Sequence, residues 1–179
     1  MLNNLQGLCP PPRRFHPAGE VSDAEFVLPP SFIRRRKTKN KARLDGIRYE
    51  RKAHQYLAER FPSGHVLAPW VSFKSRERIG YFHCQPDALI LDLRRNSITV
   101  VEIKLKHTSD AWWQVRQLYM PVVQHIFGPS WDYIAVELAK WFDPHTKFPE
   151  RFEFVDDVGD LPALSPRTFH VHLWNGRGQ

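Results

Sequence analysis

The pattern of apolar residues in the first half of the chain predicts one helix followed by two strands. Residues 44–61 carry apolar and aromatic side chains at helical spacing, and Pro-Ser-Gly at 62–64 ends that helix. Residues 66–73 and 81–93 are rich in β-branched, aromatic and aliphatic side chains, which is typical of strands. The charged turn between these two segments predicts an antiparallel pair.

The second half of the chain continues with a strand, a helix and a further strand. Residues 98–105 form a strand with few polar interruptions, and residues 109–127 place apolar side chains along one helical face, with a kink predicted at Pro121. Residues 131–138 form a short apolar strand, reached from the helix as in a crossover unit. The order helix, three strands, helix, strand indicates an α/β fold with a mixed central sheet flanked by helices.

The two ends of the chain are expected to differ from this core. Residues 1–42 are interpreted as a basic, Pro-rich N-terminal arm that either follows nucleic-acid phosphates or remains a solvated tail. Apolar residues 26–28 also allow the arm to dock on the domain. Residues 43–179 are predicted to form a single domain with its core at about 44–138, and residues 139–179 extend the sheet or cover its edge.

Composition narrows the class of protein. The chain is 42% hydrophobic, which is enough for one core, and its two cysteines, Cys9 and Cys84, exclude a disulfide framework and a cysteine zinc site. The sequence has neither an apolar run that could span a bilayer nor an export signal, so we expect a cytoplasmic protein without membrane contact. The formal net charge of +7 favours an anionic partner, most commonly nucleic acid.

Three charged residues interrupt the predicted strands. Asp87 opens an apolar run, while Glu102 and Lys104 lie two residues apart on the next strand and therefore point to one face. Adjacent strands place Asp87 beside Glu102. Because buried charges need a partner or a metal, the two carboxylates are predicted to bind Mg²⁺ or Mn²⁺. The carbonyl of Ile103 would be a further ligand, and Lys104 would orient the attacking water.

The strings Pro86-Asp87 and Glu102-Ile103-Lys104 resemble the signature of the PD-(D/E)XK nuclease superfamily, over roughly residues 44–138. The resemblance implies a restriction-endonuclease-like αβββαβ core and Mg²⁺-dependent cleavage of DNA, or occasionally of RNA. It also implies catalytic roles for the Asp, the Glu and the Lys of these strings. Glu50 stands at the place on the first helix where many members carry a Glu that supports the metal site.

A helper on the following helix is implied by one part of this superfamily. In the lambda-exonuclease-like and RecB-like branches, a Gln and a later Tyr after the Glu-X-Lys strand hold the substrate or the catalytic lysine. Gln114 and Tyr119 take these places here, with an interval one residue longer than in the branch pattern. The resemblance therefore implies a catalytic helper in Gln114 and a substrate contact in Tyr119.

Candidates for nucleic-acid contacts lie on the first helix and near the Glu-X-Lys strand. Three cations flank Glu50, and they either line a nucleic-acid groove or form a solvated helical face. A Lys and a His directly after the strand are placed to reach phosphate, and a Trp on the next helix either stacks on an unpaired base or joins the core. Together with the Tyr named above, these candidates are Arg48, Arg51, Lys52, Lys106, His107, Trp113 and Tyr119.

The sequence therefore predicts a metal-dependent nuclease that hydrolyses phosphodiester bonds in DNA, in recombination, repair, restriction or the processing of mobile elements. The alternatives are a non-catalytic nucleic-acid-binding or assembly module that keeps the fold, and an RNA-cleaving enzyme. Endonuclease and exonuclease action both stay open. A homodimer would suit cutting of both strands, and an ATP-driven motor or recombination protein would be a separate partner because the chain has no Gly-rich nucleotide-binding loop.

Overall fold

The computed structural model of the protein describes residues 9–32 and 40–176, and its strands form two sheets. In chain order the strands are β1 (Val21–Val27), β2 (His65–Leu67), β3 (Trp70–Ser75), β4 (Phe82–Cys84), β5 (Ala88–Asp92), β6 (Ser97–Lys106), β7 (Asp132–Trp141), β8 (Phe152–Val155) and β9 (Phe169–Leu173). The smaller sheet is antiparallel with the order β1-β3-β4, and the larger sheet has the order β2-β5-β6-β7-β9-β8. In the larger sheet β2, β5 and β6 pair antiparallel, whereas β6, β7, β9 and β8 pair parallel. The predicted mixed central sheet is confirmed.

Helices cover both faces of the larger sheet, as predicted. They are α1 (Lys41–Arg60), α2 (Ser109–Gln114) and α3 (Met120–Phe127). Asn40 caps α1 because its side chain accepts a hydrogen bond from the N–H of Arg43. Tyr49, Ala53 and Leu57 are buried at intervals of four residues, so one stripe of α1 faces the sheet. The α/β class with flanking helices is therefore confirmed.

Alternation along β6 assigns its residues to the two faces of the sheet. Val101 lies in the apolar cluster beneath α1, and Val100 lies in the cluster beneath α2 and α3. Glu102 and Lys104 share the face of Val100, because side chains two residues apart in a strand point the same way. The candidate catalytic face is therefore the one that α2 and α3 cover.

The chain passes between the two sheets at two adjacent points, which divides each of the first two predicted strands. The segment 66–73 breaks at Ala68-Pro69 between β2 and β3, and the segment 81–93 breaks at residues 85–87 between β4 and β5. Each break contains a proline, which cannot donate a hydrogen bond to a neighbouring strand. The N–H of Ala68 donates to the carbonyl of Asp87 at 2.9 Å, so the two crossovers lie side by side. Asp87 stands at this junction.

The helix predicted over residues 109–127 contains a π-helical turn, Val115–Tyr119, between α2 and α3. Pro121 follows that turn and has no N–H to offer to its carbonyls. The carbonyl of Gln117 accepts a hydrogen bond from the N–H of Ala18 at 2.8 Å instead. The irregular helix thereby provides one of the points at which the N-terminal segment attaches.

The described part of the predicted N-terminal arm contains regular structure. Strand β1 pairs antiparallel with β3, and Phe26 and Phe127 pack with ring centroids 5.9 Å apart. Part of the apolar stretch 26–28 thus docks, as a strand that the hydrophobic pattern did not predict, whereas Leu28 follows the strand and is 87% exposed. Its partly buried positions, Val21, Ala24 and Val27, are three residues apart and so lack the alternation typical of a strand. A bulge after Val21 shifts the register and accounts for the first of these intervals. The cationic run at 34–37 lies outside the described residues.

The C-terminal segments extend the larger sheet. Strand β9 pairs with β7, and β8 pairs with β9 at the sheet edge, which is the first of the two predicted arrangements. Within residues 9–32 and 40–176, no helix has the length and apolar character needed to cross a membrane.

Candidate active site

Asp87 and Glu102 lie side by side, as the strand arrangement predicted. Asp87 immediately precedes β5, and Ala88 is paired with Val101 in the antiparallel register of β5 and β6. The carboxylate of Asp87 accepts a hydrogen bond from the N–H of Ile103 through Oδ2 at 2.6 Å. The backbone between Glu102 and Lys104 therefore fixes the orientation of Asp87. The carbonyl of Ile103 as a metal ligand stays a prediction.

Lys104 is held by two oxygen atoms. Its Nζ lies 2.5 Å from Oε1 of Glu102 and 2.7 Å from Oε1 of Gln114, and it donates to both. The side chain of Glu102 is only 4% exposed, whereas that of Lys104 is 23% exposed and remains accessible from solvent. The predicted same-face pair is therefore largely buried, unlike an ordinary surface ion pair.

The π-helical turn explains the unusual spacing between Gln114 and Tyr119. The amide Nε2 of Gln114 donates to the hydroxyl of Tyr119 at 3.4 Å, while its Oε1 accepts from Lys104. In an α-helix, residues four apart face each other, but a π-helical turn brings together residues five apart. The extra residue in this interval therefore leaves the Lys104, Gln114 and Tyr119 chain intact.

Burial and negative charge perturb the carboxyl groups of this site. The pKa of Asp87 is raised to about 8, chiefly by burial and then by the charge of Glu102. Burial also raises the pKa of Glu102, although Lys104 opposes this effect. Burial would lower the pKa of Lys104, but the neighbouring carboxylate of Glu102 outweighs it, and the pKa is raised. Ionisation of both carboxyl groups is therefore unfavourable in this site, and a bound cation would offset their charge.

Glu50 approaches the same site from α1. Its side chain is 46% exposed, and its Oε1 lies 3.7 Å from Nε2 of His54. The charge of Glu50 contributes to the raised pKa of both Asp87 and Glu102, so it lies close enough to act on the site electrostatically. The alternative helix residue, Glu59, instead accepts a hydrogen bond from Gln55 on the exposed side of α1.

Glu137 is a buried acidic residue beside the site that the sequence analysis did not single out. It pairs with Glu102 in the parallel register of β6 and β7 and is fully buried. Its Oε1 accepts a hydrogen bond from the N–H of Thr108 at 3.0 Å, and His107 Nδ1 donates to its Oε2 at 2.5 Å. The available signal was a single acidic residue within the apolar run 133–138.

His107 does not reach a phosphate, and that prediction is wrong. The side chain is 1% exposed and is enclosed by the rings of Phe142, Phe148 and Phe152, with centroids 5.1 to 5.2 Å away. The reason is its bond to Glu137, which draws the imidazole inward at the end of β6.

Two further aromatic candidates for nucleic-acid contacts are buried. Trp113 is 4% exposed and packs against Trp112 and Phe15, so it belongs to the core and cannot stack on a base. Tyr119 is 5% exposed, which also excludes the predicted substrate contact. Both residues point inward because α2 and the π-helical turn cover the sheet with this side.

The cationic candidates divide into three groups. Arg48 and Lys52 line a cavity of about 310 Å³ together with Lys140 and Trp141, although Arg48 also lies 3.4 Å from Asp45. Arg51 is exposed and does not line this cavity. Lys106 is engaged by Asp143, whose Oδ2 lies 2.7 Å from the lysine Nζ. Two of the three cations on the first helix thus line one cavity, and their contact with nucleic acid stays a prediction.

The capacity of these residues for a metal ion depends on two carboxylates. In the described part of the chain, no group of three or more His, Cys, Asp and Glu side chains is arranged to hold a metal ion. Mg²⁺ is commonly held by one or two carboxylates, with waters and substrate phosphate oxygens completing its shell. Asp87 and Glu102 meet that requirement, and Oε2 of Glu102 is buried without a hydrogen-bond partner.

Comparisons with known proteins gave no match, whether to models of protein families, to curated proteins or to solved structures.

Proposed function

We propose that this protein is a metal-dependent nuclease that hydrolyses phosphodiester bonds in DNA. The observation that carries the proposal is the buried carboxylate of Glu102. One of its oxygens binds Lys104, the other has no partner, and Asp87 lies directly beside it. A buried, incompletely paired acidic pair is costly unless it serves a ligand, and a divalent cation would neutralise it.

The order of elements supports a restriction-endonuclease-like core. If each divided strand is counted once, the chain runs through α1, the β2 and β3 segment, the β4 and β5 segment, β6, the α2 to α3 helix and β7. This order is αβββαβ. Asp87 of the Pro-Asp string then lies at the break within the second strand, between β4 and β5. Glu102 of the Glu-X-Lys string lies in the third strand, β6.

The residues that would hold the ion are Asp87 and Glu102, with Glu50 and the Ile103 carbonyl in support. Their oxygens are hard ligands suited to Mg²⁺ or Mn²⁺. When bound, such an ion polarises the scissile phosphate and lowers the pKa of a water molecule. The N–H of Ile103 fixes one oxygen of the Asp87 carboxylate beside the strand that carries Glu102, which limits the movement of this ligand.

Besides the charge of a bound metal ion, the site has the positive charge of the Lys104 side chain. Glu102 and Gln114 hold its ammonium group from two sides, which leaves its third proton for a water molecule or a phosphate oxygen. A fixed ammonium group orients the attacking water by hydrogen bonding and offsets negative charge that develops on the phosphate. Tyr119 and Gln114 act through Lys104 and are positioning residues.

The test is cleavage by the purified protein. Supercoiled plasmid, linear duplex and single-stranded DNA would be incubated with Mg²⁺, Mn²⁺ or EDTA, with RNA in parallel. Asp87→Ala and Lys104→Ala should abolish cleavage, as should EDTA. Lys147→Ala is the matched control, because the side chain of this lysine is exposed and takes no part in the hydrogen bonds that hold Asp87, Glu102 and Lys104, so cleavage should be unchanged.

Other outcomes favour the alternatives. DNA binding that weakens with salt but produces no new ends under any metal would favour a non-catalytic binding module. Metal-dependent cleavage of RNA alone, lost in the same two variants, would keep the site but change the substrate. Cleavage that survives both substitutions would show that another site, or a contaminant, is responsible.

A further inference from the structure

A cavity of about 460 Å³ opens next to the residue that holds the candidate catalytic lysine. Gln114, which accepts a hydrogen bond from Lys104, forms part of its wall. The other walls come from the N-terminal segment, from the smaller sheet and from the π-helical turn. Its volume falls within the range of about 300–1,000 Å³ that is typical of ligand pockets.

Aromatic rings form much of the wall. Phe15 comes from the N-terminal segment and Phe82 from β4, and both rings are partly exposed. Phe73 of β3 packs against Phe82 with ring centroids 5.8 Å apart, but it is 2% exposed, so it backs the wall and is not free to stack on a base. Leu118 closes the apolar part from the π-helical turn. Aromatic side chains of this kind bind nucleobases by stacking, without regard to base identity.

The rim carries positive charge. Arg14 lines the cavity and is exposed, and the guanidinium of Arg78 lies 4.2 Å from the ring centre of Phe82. Arg78 also donates a hydrogen bond to the carbonyl of Pro17, which ties the N-terminal segment to the wall. The described residues that line the cavity include no acidic residue. Apolar rings with arginines at the rim complement a nucleotide, which has a flat base and an anionic phosphate.

We infer that this cavity takes an unpaired nucleobase of the DNA strand, next to the site of cleavage. The inference rests on the proposed function and narrows its substrate class to DNA with a single-stranded segment or end. A base within a duplex would first have to leave its stack and lose its pairing, which opposes binding. Single strands and frayed ends avoid this cost, so they should bind more tightly than an intact duplex of the same sequence.

The test measures binding without cleavage. The full chain would be titrated in EDTA against a fluorescent single strand and the corresponding blunt duplex, with fluorescence anisotropy as the readout. Arg14→Ala removes a rim charge, and Leu118→Trp fills the cavity. Arg13→Ala is the matched control, because Arg13 is an exposed neighbour that does not line the cavity. Thermal unfolding of each variant shows whether it is folded.

The expected result is a loss of about tenfold in affinity for the single strand in Leu118→Trp, which is the size of one lost base-stacking contact. Arg14→Ala should also weaken single-strand binding, and Arg13→Ala should weaken it less. The wild type should bind a strand with one abasic position more weakly than it binds an intact strand. Leu118→Trp should bind these two strands with equal affinity. This last comparison separates occupation of the cavity from general electrostatic attraction.

The inference is overturned if folded Leu118→Trp binds single strands as tightly as the wild type, or if it loses affinity for duplex and single strand equally. These results are independent of catalysis. If Leu118→Trp cleaves DNA normally and binds single strands as the wild type does, the proposal of a nuclease stands and only the proposal of a base pocket is overturned. Selective loss of single-strand binding in a protein that does not cleave would keep the pocket and remove the nuclease.

Discussion

Glu102 and Glu137 lie opposite each other in the parallel register of β6 and β7, yet only Glu102 is bonded to Lys104. Glu137 is instead bonded to His107 and to the backbone of Thr108, the residue that caps α2. One acidic residue therefore belongs to the candidate chemistry, and its neighbour anchors the helix that carries Gln114. The two buried glutamates at these paired positions thus have different roles.

The anchoring by Glu137 predicts a large effect on stability. Glu137→Ala removes the hydrogen-bond partner of the partly buried N–H of Thr108 and of the buried Nδ1 of His107, and should lower the free energy of unfolding by about 3 kcal/mol. Glu137→Gln retains an acceptor for Thr108 and should lose less. Urea denaturation measures both values. Glu153→Ala, at an exposed position on β8, should stay within about 0.5 kcal/mol of the wild type. Equal stability of Glu137→Ala and Glu153→Ala would contradict the anchoring role.

The support of Lys104 by Gln114 predicts a graded loss of activity. Gln114→Ala removes one of two holding contacts without removing the ammonium group, so the cleavage rate should fall by about 10- to 100-fold. Lys104→Ala should lose more, because the charge itself disappears. The measurement is the rate of single-turnover cleavage at saturating metal. Gln117→Ala on the same helix is the control, since its backbone carbonyl binds Ala18 and the substitution leaves that carbonyl in place. A Gln114→Ala rate equal to that of Gln117→Ala would remove Gln114 from the site.

The raised pKa of Asp87 predicts how stability depends on pH in the absence of metal. The pKa rises from its ordinary 3.8 to about 8 on folding, so the native state binds this proton more tightly than the unfolded chain does. The contribution to stability is therefore greatest at acidic pH and is lost as the pH rises towards 8, with a slope of up to about 1.4 kcal/mol per pH unit.

Asp87→Asn should remove this part of the pH dependence. The variant should be more stable than the wild type at pH 8 in EDTA, because it buries no charge and its side-chain oxygen can still accept from Ile103. Denaturant unfolding in a series of buffers is the measurement. Asp132→Asn, at an exposed position, should keep the slope of the wild type. If the free energy of unfolding of Asp87→Asn depends on pH as steeply as that of the wild type, other titrating groups determine this dependence.

Metal binding should stabilise the native protein. At a concentration about 100 times its Kd, Mg²⁺ or Mn²⁺ should raise the free energy of unfolding by about 2.7 kcal/mol, and EDTA should reverse the effect. Asp87→Ala should lose this response, whereas Asp132→Asn should retain it. Differential scanning fluorimetry detects the shift in Tm without any substrate. An identical shift in Asp87→Ala would place the metal elsewhere.

Local patterns in the sequence determined much of this structure. The 3.6-residue spacing in residues 44–61 and the apolar runs of β6 and β7 are periodic over enough residues to identify each element. The common face of Glu102 and Lys104 followed from strand alternation, and the position of Asp87 beside Glu102 followed from the adjacency of the two strands. These features depend on neighbours in sequence or on adjacent strands.

Only the tertiary structure decided which side chains are exposed and which share a network. His107, Trp113 and Tyr119 are polar or amphipathic residues whose sequence surroundings suit a surface as well as a core. Contacts with segments distant in the chain bury them, such as that of Trp113 with Phe15. The role of Glu137 likewise depends on a bond to Thr108, 29 residues away in sequence. Such contacts form when elements pack, and no periodicity in the sequence encodes them.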